Sequence, residues 1–474
     1  MPGQPQIAIL GAGPGGYVAA IRAAQLGARV TVIESQALGG VCLNWGCIPS
    51  KALLGVVELG DKVKKADAMG LRVSGSVTYD LAQMVARKNQ VVTGLVKGIA
   101  TLFKAWNIDY VEGRGVLRDR QHLHVALTAG GERSVTADSI IIATGSSWPN
   151  LPQFPIDGRQ ILTSQQLLDL TVIPRRLLII GGGVEGCEFA ALFSGLGTDV
   201  TILELMERVL PLEDEEVSST MTRELKKRSV TVITGTTVDR LVRETATVAA
   251  QLKDGQTIEA DVVLVSVGRG LNSRGIGLEE VGVRTGRRGE ILVNEQMETS
   301  VPGVYAIGDV TGKAMLAHIA STQGKVAVEH ILGHHTSMEY DVVPAGIFTL
   351  PEIGGVGLTE AQARERHESE GDASSRLKIG RFRYTALGKA QATGETTGFC
   401  KVIADATSGK ILGVHIVGAH AADLIHEAAL AMQLGATVSQ IADMIHAHPT
   451  LAEAMMEAAE DAEDKAIHQL KKKI

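Results

Sequence analysis

Two cysteines five positions apart, Cys42 and Cys47, are the residues of this chain best placed to do chemistry. They lie in Gly39-Gly40-Val41-Cys42-Leu43-Asn44-Trp45-Gly46-Cys47-Ile48-Pro49-Ser50-Lys51. Two thiols this close can cycle between dithiol and disulfide and so carry an electron pair. In a regular α-helix, Cα atoms five residues apart are separated by about 8.7 Å, from the rise and the residues per turn. A disulfide tolerates at most roughly 7 Å. The pair can bond only if the backbone between the cysteines is irregular, and Asn44 and Gly46 are residue types that allow it. Pro49 suits the first turn of a helix, where its missing N–H costs nothing. The expectation is a bent turn carrying both sulfurs at a helix N-terminus, where the helix dipole and Lys51 favour a thiolate. The plainer alternative is a pair of packed thiols on a core helix. The glycine and asparagine between them count against it.

A second constellation stands near the C-terminus, His446-Ala447-His448-Pro449-Thr450-Leu451-Ala452-Glu453. A thiol must lose its proton before it attacks a disulfide. Histidine can take that proton near neutral pH. A carboxylate such as Glu453 can orient the ring and stabilise its charged form. Spacing alone does not bring His448 and Glu453 into contact, and an ordinary core or surface histidine is the bland alternative.

Elements that would position such groups are visible as a repeat. Ile7-Ala8-Ile9-Leu10 reads as a buried strand, followed by Gly11-Ala12-Gly13-Pro14-Gly15-Gly16, an alanine-rich helix and the strand Arg29 to Glu34. The same order recurs from Leu177 through Gly181-Gly182-Gly183-Val184-Glu185-Gly186 to Glu204. Gly11 to Glu34 and Gly181 to Glu204 are both steps of 23 residues. Such glycines allow a tight turn, approach of the backbone to a pyrophosphate, and close helix–strand packing; the terminal acid can hold ribose hydroxyls. Asp138-Ser139-Ile140-Ile141-Ile142-Ala143-Thr144-Gly145 likewise resembles Asp261-Val262-Val263-Leu264-Val265-Ser266-Val267-Gly268. Two nucleotide-binding domains of one design explain this economically.

Between and beyond them, Tyr79 to Trp106 reads as a long amphipathic helix, and Trp148 to Pro155 as an interdomain crossing. Val304 to Asp309 reads as a strand ending in a glycine and an acid. Arg364 to Ser375 reads as a solvated helix and loop. Phe399 to Val417 alternates as antiparallel strands do, and Ala421 to Met432 reads as a helix, so the last part is α+β. Lys471 to Lys473 reads as a solvated helix end. The expected class is α/β, with two Rossmann-like domains and a C-terminal α+β domain. The expected divisions are 1–147, 148–271, 272–342 and 343–474.

With 474 residues the chain exceeds a single core. Its 45% hydrophobic and 21% charged residues describe an ordinary globular protein. A net charge of −7 disfavours nucleic acid as a main partner. Four cysteines in this length do not form a secreted disulfide framework, so a reducing compartment, the cytoplasm, is expected. The N-terminal residues show no basic region followed by an apolar one, and no apolar run reads as membrane-spanning, so no signal peptide and no membrane are expected.

On these residues the chain resembles the pyridine nucleotide–disulfide oxidoreductase family over essentially its whole length. Gly39 to Lys51 is similar to its active-site stretch GGxCxNxGCIPSK, and His446 to Glu453 to its HxHPTxxE ending. Phe348 to Glu360 resembles its dimerisation motif. The resemblance implies FAD, NAD and a homodimer whose active sites are shared between subunits. It also implies roles. Cys42 would exchange with the substrate disulfide and Cys47 would face the flavin. Lys51 and Glu188 would form an ion pair beside the flavin. His448 and Glu453 would be the base and its orienting acid, supplied by the opposite subunit. Gly11, Gly13, Gly16, Glu34, Gly115, Thr144, Asp309 and Ala317 match FAD-contacting positions. Gly181, Gly183, Gly186, Glu204, Val238 and Gly268 match NAD-contacting positions. No metal is implied. The implied reaction is that of the family branch which oxidises dihydrolipoamide and reduces NAD⁺, with lipoyl domains of 2-oxo acid dehydrogenase or glycine cleavage complexes as partners.

Glu204, followed by Leu205 and Met206, would repel a 2′-phosphate and so disfavours an NADPH-linked glutathione reductase, although Arg208 is near. No cysteine follows Cys400, which disfavours mercuric and larger thioredoxin reductases. A flavin-bearing redox sensor without turnover is the reading from another class. Three features depart from the family pattern. Glu185 replaces an apolar residue inside the NAD turn, and it is expected to weaken nicotinamide binding or shift the flavin potential, unless it points to solvent. Gly270-Leu271 replaces a segment that often carries proline. Cys187 and Cys400 have no motif around them and are expected to be small packed residues.

Overall fold

The computed structural model describes residues 4–369 and 377–470. The first nucleotide unit runs β1 (Gln6–Leu10), α1 (Pro14–Gln25) and β2 (Arg29–Glu34). Next come α2 (Gly40–Trp45), α3 (Cys47–Lys64), α4 (Leu81–Ala105), β3 (Asp109–Leu117), β4 (His122–Leu127), β5 (Glu132–Thr136), β6 (Ser139–Ile142) and the short β7 (Ser146–Ser147). The central strands β1, β2 and β6 pair in parallel, with Ile7 opposite Val30 and Ser139. Apolar side chains on both faces of β1 suit a strand covered on both sides.

The second unit begins with β8 (Ile161–Leu162) and α5 (Ser164–Leu167). Its repeat is β9 (Arg176–Ile180), α6 (Val184–Gly195) and β10 (Asp199–Leu203), followed by α7 (Glu215–Lys227) and β11 (Thr231–Ile233). A small antiparallel sheet, β12 (Val238–Arg243), β13 (Val248–Leu252) and β14 (Thr257–Ala260), precedes β15 (Val262–Val265) and β16 (Gly270–Leu271). Strand order β11-β10-β9-β15 reproduces β3-β2-β1-β6 of the first sheet. The internal repeat is therefore a repeat of topology. Gly270-Leu271 forms the strand that pairs with β7, so the departure there sits on the two-stranded link between the units.

After α8 (Leu278–Val281) the chain returns to the first unit. The strand β17 (Val304–Ala306) adds to the edge of the first sheet beside β6, and α9 (Ala317–Ile331) packs on α1. Contact between the two helices is tight: a side chain at Gly324 would meet the Gly15 carbonyl at 2.7 Å. Arg22 and Glu329 pair across the same contact.

The C-terminal part is a five-stranded antiparallel sheet of order β18-β19-β22-β21-β20. Its elements are β18 (Ala345–Ile347), β19 (Ile353–Gly357), α10 (Glu360–Ser369), β20 (Leu377–Arg383), α11 (Gly388–Thr393), β21 (Phe399–Asp405), β22 (Ile411–Val417), α12 (Ala421–Gln433), α13 (Val438–Ala442) and α14 (Glu453–Ala462). Glycines let helices approach the sheet closely: a Cβ at Gly354 would meet the Ala421 carbonyl at 2.3 Å, and one at Gly380 the Ala458 carbonyl at 1.8 Å. Cys400 is fully buried in β21, and Cys187 in α6 donates to the Gly182 carbonyl, so both are packed residues as expected. The expected solvated loop up to Ser375 and the helix end at Lys471 to Lys473 fall outside the described residues, apart from the helix α10.

One expectation about membranes needs correction. Gly40–Lys64 is long and apolar enough, by length and composition, to cross a bilayer. Its apolar side chains have other partners: Leu53, Leu54 and Val57 are buried in a core shared with α4 and α6. The stretch is also broken at Gly46.

Candidate active site

The irregularity required between the two cysteines is Gly46. Its backbone, at φ −138° and ψ −111°, ends α2 and starts α3. A Cβ at Gly46 would lie 3.2 Å from the Val41 carbonyl and 3.3 Å from the Cys42 Cα, so the bend folds tightly onto Cys42. Asn44 supports it by donating to the carbonyls of Leu38 and Gly40. Cys47 occupies the first turn of the 18-residue α3, as expected. Cys42 lies inside the short α2 and not on the bend itself, which corrects the expectation that one turn carries both sulfurs.

The pair stands as two free thiols whose ionisations are linked. Because Cys42 donates to Cys47, the Cys47 thiol is lowered to about 7; burial opposes this, and Lys51 assists it. The same hydrogen bond, with burial, pushes the Cys42 thiol up. The two sulfurs are thereby differentiated, with Cys47 the readier of the two to ionise.

Lys51, one turn after Cys47 on α3, pairs with Glu188 of α6 at 2.7 Å. The Glu188 side chain is 7% exposed, and its second oxygen accepts the Phe348 backbone N–H at 2.9 Å. The lysine ammonium also lies over the Phe348 ring, 4.5 Å from its centroid. Three parts of the chain thus converge on one ion pair. Phe348 belongs to the stretch that resembles the dimerisation motif, and no local spacing reveals its contact with this ion pair.

Both glycine turns have the same three-part construction. A Cβ at Gly11 would meet the Ala143 carbonyl at 2.3 Å, and one at Gly181 the Ser266 carbonyl at 2.0 Å. At Gly16 and Gly186 a Cβ would strike the carbonyl of the first glycine, at 1.9 and 2.0 Å. Gly183 has open space where a Cβ would stand, and the nearest atom to one at Gly13 is 3.9 Å away. The middle glycines therefore expose bare backbone at the start of α1 and α6, which a pyrophosphate can approach. Glu34 and Glu204 each accept two backbone N–H groups, from Ala12 and Gln36, and from Gly182 and Met206. Each carboxylate keeps acceptor sites for ribose hydroxyls. Arg208 donates to the carbonyls of Pro211 and Glu213, so its guanidinium serves the loop and not a 2′-phosphate. These residues fit FAD in the first unit and NAD in the second.

The remaining matched positions separate into two kinds. Asp309 follows β17 and accepts from the Ser146 hydroxyl at 2.5 Å, while Arg269 donates to that hydroxyl and to the Ser146 carbonyl. Arg269 also stacks on Trp148, 4.5 Å from the ring centroid. Thr144 and Asn272 exchange hydrogen bonds, Ala317 opens α9, and Gly268 follows β15 with nothing near its missing side chain. These four positions border the cradles. Gly115 and Val238 serve packing: a Cβ at Gly115 would meet Leu10 at 2.6 Å, and Val238 is buried in the core beside Leu203. Only their backbones remain for a cofactor. Ser146, Arg269 and Trp148 escaped the sequence reading; the Val267-Gly268-Arg269 run at a strand end was the available signal.

His448 and Glu453 do meet, Nδ1 to Oε1 at 2.9 Å, and Glu453 accepts the Thr450 N–H with its other oxygen at 2.7 Å. Burial raises the Glu453 carboxyl, but the Thr450 and His448 bonds bring it below its ordinary value. The His448 side chain is 76% exposed. Among the described residues, no hydrogen bond or ion pair links it to Cys42 or Cys47. On the same domain, Leu430, Leu434 and Ile445 are also exposed. His446 is the buried companion, pairing with Glu427 at 2.8 Å.

Residues 5–324 match the pyridine nucleotide-disulphide oxidoreductase family, and residues 343–459 match its dimerisation domain, so the chain forms a homodimer. Curated relatives named dihydrolipoyl dehydrogenase include one from Bacillus subtilis, 42% identical, with 98% of each chain covered. One from Chlorobaculum tepidum is 40% identical with 96% of each covered. A third, Dihydrolipoyl dehydrogenase 2, mitochondrial, from Arabidopsis thaliana, is 42% identical over 98% of this chain and 91% of its own. Among solved structures, LpdA from Mycobacterium tuberculosis superposes with a TM-score of 0.89 at 30% identity, covering 96% of this chain and 99% of that one. A dithiol poised at a helix break, two cradles and a paired histidine agree with these matches: the chain belongs to the pyridine nucleotide-disulphide oxidoreductase family.

Proposed function

We propose that the protein oxidises dihydrolipoamide to lipoamide and reduces NAD⁺ to NADH, using FAD and the Cys42–Cys47 pair. The observation that carries this reading is the placement of the two free thiols on either side of the helix break at Gly46, with Cys47 one turn from the Lys51–Glu188 pair. In the oxidised enzyme the two are joined as a disulfide. One substrate thiolate attacks Cys42, the disulfide breaks, and Cys47 leaves as the thiolate that Lys51 stabilises. The second substrate thiolate then displaces Cys42, releasing the cyclic disulfide and leaving the enzyme dithiol. His448, oriented by Glu453, takes the substrate protons. Its exposure, and its lack of a bond to the cysteines of its own chain, support action on the pair of the other subunit. FAD, when bound, conveys the electron pair from the dithiol to NAD⁺.

The unit formed by 1–147 and 272–342 would hold FAD, that formed by 148–271 would hold NAD, and 343–474 would dimerise. The pairing of β17 with β6 supports the discontinuous first unit. Lipoyl domains of 2-oxo acid dehydrogenase or glycine cleavage complexes are the proposed partners, and the cytoplasm the proposed compartment. Pure protein mixed with dihydrolipoamide and NAD⁺ should produce NADH, read by absorbance. Consumption of NADPH with glutathione disulfide in its place would overturn the proposal.

A further inference from the structure

Glu185 lies in the first turn of α6, where the first unit has no acidic residue at the start of α1. It precedes Glu188 by three residues, so both stand on one face of the helix, about one turn apart. Glu188 marks the redox end of that face through Lys51. Gly183 marks the pyrophosphate end. Glu185 therefore stands between the two ends that a bound nicotinamide coenzyme would have to join. Its carboxylate accepts from the Ser266 hydroxyl at 2.8 Å, which fixes it at the end of β15. Arg269 is the nearby cation and interacts electrostatically with Glu185, but its guanidinium donates to Ser146 and stacks on Trp148. Among the described residues Glu185 makes no ion pair, so its charge is not cancelled by direct contact.

The oxidised nicotinamide ring is cationic and the reduced ring is neutral. We propose that Glu185 is a specificity-determining residue that favours NAD⁺ over NADH, because its fixed negative charge flanks the path of the ring. It acts on the oxidised and reduced coenzymes unequally and does not weaken nicotinamide binding in general. The inference rests on the dehydrogenase reading above. A partly screened unit charge this near a cationic ring changes the affinity ratio about tenfold.

The test uses the FAD-loaded dimer and equilibrium titration of three probes, NAD⁺, NADH and ADP-ribose, with wild type, Glu185→Gln and Glu185→Ile. Glu185→Gln keeps the size and the bond to Ser266; Glu185→Ile removes both charge and bond. The expected result is a fall of about tenfold in the ratio of NADH to NAD⁺ dissociation constants in both variants, with ADP-ribose affinity unchanged. A ratio unchanged in either variant overturns the proposal. So does an equal change for all three probes, which would move the effect to the pyrophosphate. If wild type fails to make NADH from dihydrolipoamide, the functional reading fails, whereas an unchanged ratio with intact turnover sinks this inference alone.

Discussion

Lys51 and Glu188 come from helices 137 residues apart in the chain and meet at 2.7 Å. Their contact makes the separation of the two nucleotide units a fixed dimension of the redox site. It also puts a positive charge one helical turn from Cys47. Lys51→Met should leave Glu188 buried without its cation and raise the Cys47 thiol by about one unit. The check is a pH titration of the long-wavelength thiolate–flavin absorbance in the two-electron-reduced protein. A midpoint unmoved from wild type would remove Lys51 from the account.

The same absorbance tests which sulfur faces the flavin. Cys47 is lowered to about 7, mainly by the hydrogen bond from Cys42. Its thiolate therefore prevails above that pH and is protonated below it. In wild type the band should fade as pH falls through about 7. Cys47→Ser should abolish the band, while Cys42→Ser should retain it without turnover. Survival of the band in Cys47→Ser would reverse the assignment.

His448→Gln should slow dithiol oxidation about 10²- to 10³-fold, in the range of a lost general base. NADH-driven dye reduction, which needs no substrate thiol, should fall by less than about threefold if proton removal is the histidine's task. Equal losses in both assays would mark His448 as structural. Glu453→Gln should cost roughly tenfold in the first assay alone, because the ring loses its orienting charge.

A buried charge cluster joins the second unit to the C-terminal sheet and sets acid sensitivity. Lys401 is 1% exposed and holds Asp214, the N-cap of α7, at 2.8 Å, with Glu360 at 2.9 Å. Burial raises the Asp214 carboxyl, but the Lys401 bond and the Glu360 N–H bring it below its ordinary 3.8. A carboxylate depressed in the folded state stabilises it above the unfolded value and loses that contribution as pH falls through the folded value. Asp214→Asn should therefore cost about 3 kcal/mol at pH 7, read by denaturant unfolding, with the deficit shrinking in acid. A deficit independent of pH would mean that packing, not charge, is lost.

The duplicated nucleotide unit is legible in the sequence because its cause is local. Gly11, Gly16, Gly181 and Gly186 are each required by a backbone carbonyl within 2.3 Å of a would-be Cβ. The break between the cysteines is legible for a similar reason, since helix geometry alone forbids their pairing. The His448–Glu453 contact is not fixed by a spacing of five. It depends on the turn at Pro449-Thr450 and on the start of α14. The chain Arg269–Ser146–Asp309 joins three segments far apart in sequence, and no periodicity reports such a meeting. Gly115 and Val238 carry two demands at once: matched to cofactor positions by resemblance, they also have packing reasons of their own.

The placement of β17 has a consequence for how the protein comes into being. Gly11 emerges early in synthesis, but the sheet it belongs to gains its edge, and Asp309 its place, only after the whole second unit has been made. The second unit is continuous in the chain and can close on itself first. The first unit must wait with an open edge beside β6, holding six of the eight positions matched to FAD but neither Asp309 nor Ala317. On the proposed assignment, completion of the FAD site would be a late event in biogenesis, and a chain cut short after the second unit would carry the redox cysteines without β17, Asp309 and Ala317.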